Sequence, residues 1–174
     1  MEGIKTHILL LFLPLVIGNV LHMIIVKKNY LKALSIPISS TLFGANKTYR
    51  GFLVLPVLSG FIACLNAITF DSLQASNRYA LFIGTGLGIA YMLFELPNSY
   101  LKRKLGIPQG ASSKKYKILQ LCIDKIDSLV GVFAFYYFAT SVTFETIIGL
   151  FLAAFLIHIS LSYLLVVLKI KKSI

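Results

Sequence analysis

Five apolar blocks, each close to the length of a membrane-crossing helix, constrain this chain more than any other feature. They cover residues 7–26, 52–70, 79–96, 118–140 and 144–168. A hydrocarbon core about 30 Å thick takes about 20 helical residues. Within it, only structures that satisfy every backbone polar group internally persist. Charged residues make up 13% of the chain, against about 25% in a soluble domain. The sequence therefore predicts an all-α, polytopic membrane protein with five transmembrane helices. It reads as a single integral membrane domain over 1–174, with two polar loops, 27–51 and 97–125. The fifth block is long enough to tilt or to extend past the membrane, and the fourth is interrupted by Asp124 and Asp127.

Charge sets the expected orientation. Lys27, Lys28, Lys32, Lys47 and Arg50 lie between the first two blocks. Lys102, Arg103, Lys104, Lys114, Lys115, Lys117 and Lys125 lie between the third and the fourth, and Lys169, Lys171 and Lys172 follow the fifth. Of 17 basic residues only Lys5 and Arg78 fall on the other side of a five-span arrangement. Positive loops stay cytoplasmic, so the N-terminus is expected outside and the C-terminus inside, in the cell membrane. Glu2, Asp71 and Glu145 fall at outer ends; Glu95, Asp124 and Asp127 fall at the basic face. That face attracts anions, although topology and anionic lipid alone account for most basic juxtamembrane loops. No nucleic-acid partner is expected, and the oligomeric state is left open. The first block lacks the basic n-region and small-residue cleavage site of a signal peptide.

Asp124 and Asp127 stand three residues apart, hence on one helix face. An Asp in a bilayer costs about 2.5–3.5 kcal/mol on insertion scales, so such residues tend to face polar cavities. Two readings stay open from the residues: a divalent-cation site at the membrane boundary, or a frayed helix start with both carboxylates solvated. Lys125 is turned from its neighbours by about 100°.

The first loop carries Gly44-Ala45-Asn46-Lys47-Thr48-Tyr49-Arg50-Gly51. Arg grips phosphate oxygens in pairs, whereas Lys acts as a point charge; the order is not that of a Walker A loop. The second carries Pro97-Asn98-Ser99-Tyr100-Leu101-Lys102-Arg103-Lys104-Leu105-Gly106-Ile107-Pro108. Pro97 is expected to end the third span or to begin a new short helix. Glu95 is expected either to join these groups or to pair with Lys102 or Arg103.

Gly-x-Asn-Lys-Thr-x-Arg-Gly at 44–51, Pro-Asn-Ser-x-x-Lys-Arg-x-x-Gly-Ile-Pro at 97–108 and Asp-x-x-Asp-Ser at 124–128 occur in that order. Together they resemble the CDP-archaeol synthases, archaeal cytidylyltransferases that act on 2,3-di-O-geranylgeranylglyceryl phosphate. Ser99-x-x-Lys102-Arg103 followed by the Asp pair is also similar to the wider CDP-diglyceride synthetases. Their His-Gly-Gly before the Asp pair is absent here, where Gln120-Leu121-Cys122 lies nearby, and the chain is shorter. The resemblance implies CTP-dependent transfer to a lipid phosphate with release of pyrophosphate, in membrane phospholipid synthesis at the cytoplasmic face. It implies Asp124 and Asp127 as Mg2+ ligands and Lys102 and Arg103 on the triphosphate. Asn46, Lys47, Thr48 and Arg50 would complete the pocket, and Asn98 and Ser99 would meet nucleotide or lipid phosphate. The lipid tails would lie in a groove between helices.

Rival readings are a CTP-dependent polyprenol kinase, which would release CDP, and a small transporter or assembly subunit. A transporter places ionisable groups near mid-membrane, whereas here they gather at one face. Gly84-Thr85-Gly86-Leu87-Gly88 looks like a nucleotide loop but has no strand before it; small residues four apart suit close helix packing. His7, His22 and His158 lie singly on apolar helices and take no assigned role. Cys64 and Cys122 are expected to be reduced packing thiols.

Overall fold

The computed structural model describes residues 3–70, 73, 75–108 and 117–170. Among these residues five long helices form an antiparallel bundle: α1 (Ile4–Lys27), α2 (Tyr49–Thr69), α3 (Asn77–Lys104), α4 (Lys117–Ala139) and α5 (Phe144–Val167). Among the described residues there is no strand, only an isolated bridge between Pro37 and Thr48. By length and apolar composition α1, α2, α3 and α5 suffice to cross a membrane. α4, the helix with the Asp pair, lies against α3 on one side and α5 on the other.

The bundle turns lipid-soluble side chains outward. Phe61, Val57, Phe144 and, at 84%, Phe138 are exposed, a surface that water would penalise and lipid does not. Inside, Leu55, Ile83, Leu87, Val132 and Tyr136 form the core. Several buried polar side chains are satisfied across helices, as an apolar interior favours. α1 widens into a π turn over Ile8–Phe12, and the buried Asn66 amide donates to the Leu9 carbonyl there at 2.8 Å. His7 Nδ1 and the Tyr136 hydroxyl, 3.0 Å apart, tie α1 to α4.

α2 and α3 make the closest helix pair, and glycine is the reason. A Cβ on Gly84 would run into the Ser59 carbonyl oxygen and Ala63, and one on Gly88 into the backbone of Pro56. The glycine string is thus a packing surface. Gly88→Val is expected to lower unfolding stability in detergent by about 1–3 kcal/mol through overpacking. Gly149→Ala, where nothing lies within 4 Å of the new carbon, is expected to leave the midpoint unchanged or raised. Equal midpoints for the two variants would contradict this account.

One expectation from sequence needs correction. Pro97 neither ends α3 nor opens a separate helix; α3 runs through it to Lys104. Proline removes only its own N–H from the ladder, here the bond back to Leu93, and membrane helices tolerate that loss. At about 1.5 Å per residue the helix is about 42 Å long, well beyond a hydrocarbon core of about 30 Å. Its last turns, bearing Asn98, Ser99, Lys102 and Arg103, therefore project past the apolar layer as a rigid arm.

Candidate active site

Antiparallel packing brings the end of α1, the start of α2, the end of α3 and the start of α4 to one end of the bundle. The segment after α1 is shaped by Asn29 and Leu31, both left-handed at φ 55° and 52°. It folds back through Ile38 N to Lys47 O at 2.9 Å and Tyr49 N to Ile36 O at 3.0 Å. Gly44, at φ 93°, supplies a turn that a side chain would strain. Lys47 is thereby delivered over α3, where its ammonium pairs with Glu95.

Arg50, one residue into α2 and only 7% exposed, does not project into open space. Its Nη1 donates to the Tyr30 carbonyl at 3.0 Å and to Asn29 Oδ1 at 3.4 Å, bracing the left-handed turn. Asn46 is exposed and Thr48 half-buried at the start of α2.

The second motif converges with the Asp pair. Asn98 Nδ2 donates to Asp124 Oδ1 and to Asp127 Oδ2, each at 2.7 Å. Lys102, one turn further along α3, donates to Asp124 Oδ2 at 2.5 Å. Asp127 Oδ1 also accepts from the Ser128 amide at 2.6 Å. The two carboxylates share a face and meet at one atom, as spacing of three on a helix requires. Ser99 and Arg103 are half-buried on the same arm, and Arg103 Nε is buried without a hydrogen-bond partner.

Of the two expectations for Glu95, a pair with Lys102 or Arg103 is not the one the structure shows. Lys102 lies seven residues on, two helical turns or about 10 Å away along the axis, too far for a direct pair. Lys47, distant in sequence, reaches it instead. Lys125 is 3% exposed, and its Nζ donates to Ser162 Oγ of α5 at 2.7 Å. Of the polar residues near the site, Asn19 and Tyr91 escaped the reading of sequence, Ser128 was noted only as the end of the Asp-x-x-Asp-Ser motif, and His158 was given no role, although the Tyr91 hydroxyl lies 3.3 Å from His158 Nε2. The one signal for Tyr91 was that it stands one turn before Glu95.

Among the described residues no three His, Cys, Asp or Glu side chains gather as a metal cluster. Two carboxylates whose oxygens converge on one atom are the hard, oxygen-only donor set that Mg2+ accepts, since that ion keeps waters and uses one or two carboxylates beside phosphate oxygens. The residues fit such an ion. Lys114, Lys115, Lys171, Lys172, Glu2 and Asp71 lie outside the described residues.

Apolar helices long enough to cross a bilayer, with lysines, an amide and carboxylates gathered at one end, define a polytopic membrane protein with a polar site at its boundary. A family model described as CarS-like, CDP-archaeol synthase, matches residues 4–174. The chain belongs to that family of membrane enzymes. It is 29% identical over 131 residues to the CDP-archaeol synthase of Pyrobaculum islandicum, covering 75% of this chain and 72% of that protein. It is 36% identical over 97 residues to that of Staphylothermus marinus, covering 56% of this chain and 48% of the relative. Identity to the Methanoculleus marisnigri protein is 37% over 94 residues, 52% of either chain. With the last two the match thus spans about half the relative's length. No solved structure matches the chain.

Proposed function

We propose that this enzyme transfers the cytidylyl group of CTP to the phosphate of 2,3-di-O-geranylgeranylglyceryl phosphate, forming CDP-archaeol and pyrophosphate at the cytoplasmic face of the cell membrane. The observation that carries the reading is the meeting of Asn98, Lys102, Asp124 and Asp127 at one point, in a chain whose family is CDP-archaeol synthase. The N-terminus lies outside and the C-terminus in the cytoplasm, because the basic residues follow the site's end of the bundle.

The chemistry is displacement at phosphorus. An oxygen of the lipid phosphate forms a bond to the α-phosphorus of CTP as the bond to the bridging oxygen of pyrophosphate breaks. The attacking group is already an anion and needs no strong base. The barrier lies in bringing it to a triphosphate of like charge, so neutralisation and alignment carry catalysis. Lys102 and Arg103 hold the triphosphate and stabilise the departing pyrophosphate. Asn98 orients the two carboxylates through paired donations. Asp124 and Asp127 would hold Mg2+, which when bound supplies positive charge shared among phosphate oxygens. Lys47 completes the cationic wall, and Arg50 supports it through the turn at Asn29 and Tyr30.

The test is pyrophosphate release by purified protein given CTP, Mg2+ and the ether-lipid phosphate. Release that requires all three, with cytidine-labelled lipid, is the expected result. CDP release in its place would make the protein a lipid kinase, and neither product from folded, reconstituted protein would end the enzymatic reading.

A further inference from the structure

α1 ends at Lys27, and the chain then makes two left-handed steps, at Asn29 and Leu31, with φ 55° and 52°. Left-handed backbone suits asparagine, whose short polar side chain bonds locally, but it crowds the Cβ of leucine. The crowded leucine is also in the open: Leu31 is 53% exposed, and Tyr30 beside it 59%. Lys27, Lys28 and Lys32 surround the pair, all exposed. Between Lys27 and Arg50 the sequence holds no Asp or Glu.

The turn is firmly built. Arg50 donates to the Tyr30 carbonyl and to the Asn29 side chain, and Tyr30 N donates to the Ile25 carbonyl at 3.0 Å. Two large apolar side chains are thereby fixed outward, where water would penalise them. The rule that keeps lysines cytoplasmic accounts for the charges, but not for Tyr30 or for a leucine in left-handed backbone. An outlier of this kind points to a use for the side chain it carries.

The surroundings identify the partner. α1 exposes Leu21 and Val26 in its last turns, so apolar surface runs from the bilayer-facing helix into the turn. Tyrosine favours the headgroup level, and lysine lays its stem on apolar surface with its ammonium in the polar layer. Clusters of lysine beside a membrane helix attract anionic lipid, whereas protein interfaces are depleted of lysine.

We propose that the turn after α1 is an interfacial anchor. Tyr30 and Leu31 sink into the leaflet on the site's side of the bilayer, and Lys27, Lys28 and Lys32 meet its anionic headgroups. The partner is the bilayer surface, distinct from either substrate. Because Arg50 ties the turn to the start of α2, the anchor keeps the loop that carries Lys47 at headgroup level, where a lipid phosphate arrives. This contact is independent of the reaction, and nothing in its test requires turnover.

The chain contains no tryptophan, so Tyr30→Trp supplies a single fluorescent reporter. In nanodiscs of anionic phospholipid brominated near the headgroup end of its chains, its emission is expected to fall about twofold or more against unbrominated nanodiscs. The fall should be smaller in zwitterionic nanodiscs and at high salt, which screens the lysines. Adding Lys28→Gln and Lys32→Gln is expected to remove about half or more of the difference between anionic and zwitterionic lipid. Unquenched emission typical of water, or quenching indifferent to lipid charge, overturns the anchor. Blue-shifted emission that bromine does not quench places the turn against protein, a second copy included, and overturns it too.

Leu31→Gly in the same background separates anchoring from folding. Glycine adopts left-handed backbone freely, so the unfolding midpoint in detergent should hold while quenching falls by about half or more. A lowered midpoint with unchanged quenching would make Leu31 a packing residue and count against the anchor. Should Tyr30→Trp fail to fold, acetylation of Lys28 and Lys32 in the wild-type protein decides. Acetylation about threefold or more slower in anionic than in zwitterionic nanodiscs supports the anchor, and equal rates overturn it.

Discussion

Asp124→Asn is expected to lower CTP- and lipid-dependent pyrophosphate release by about three orders of magnitude while the protein stays folded. The substitution keeps shape and removes charge. In the structure Asp124 accepts from Asn98 through one oxygen and from Lys102 through the other. An asparagine can still accept one of these bonds, so the α3–α4 contact persists, but the pair of carboxylates is reduced to one. A divalent ion bound through few carboxylates loses much of its attraction when one becomes neutral. The diagnostic measurement is a Mg2+ titration of turnover, with the unfolding midpoint recorded on the same sample. The midpoint should move little and the titration should shift to much higher Mg2+, with a reduced plateau. An unchanged titration curve, or wild-type turnover that survives full chelation, would remove the carboxylates from any role in holding a metal.

What sequence made legible, and what it hid, divides along a physical line. Hydropathy is a local property, so the apolar blocks gave helices within a few residues of their ends, except that α3 runs on to Lys104, eight residues past the end of its block; spacing of three put both carboxylates on one face. The packing use of Gly84 and Gly88 was also readable, because small residues four apart form a stripe on any helix. Pro97 was misread because a proline's effect depends on whether the lost hydrogen bond matters, and at the edge of the apolar layer it does not. Of the two readings of Glu95, the pairing with Lys102 or Arg103 is the one not met, because nearness in sequence stood in for nearness in space. Its partner comes from a loop whose path depends on left-handed turns at Asn29 and Leu31 and on the Arg50 brace. Lys125 with Ser162, and Asn66 with the π turn of α1, are tertiary pairs with no periodic signature. Arg50 shows the same limit: its type suits phosphate, while its surroundings give it backbone to hold.

Lys102→Ala is expected to raise KM for CTP by about 10- to 150-fold, with KM for the lipid phosphate changed far less. A hydrogen bond to a charged group contributes about 1.5–3 kcal/mol, and about 1.4 kcal/mol is a factor of ten. Lys102 sits on the rigid end of α3, half-buried beside Asp124, so its ammonium is held where it can meet a second anion without refolding the loop. Its loss also leaves Asp124 Oδ2 without a cation, which should lower kcat as well as CTP affinity. Lys102→Arg keeps the charge but spreads it over a planar fork; it should recover most of the CTP affinity and only part of kcat. The sharp contrast is with Lys125→Ala. That lysine stands beside Asp124 in sequence, but its ammonium is buried against Ser162 on α5, so its removal should lower the unfolding midpoint and leave KM for CTP within a few fold. If the two variants exchange these signatures, Lys125 rather than Lys102 holds the nucleotide. If Lys102→Ala leaves the dependence on CTP unchanged, Lys102 serves only to position Asp124 and the triphosphate is held by Arg103 and Lys47.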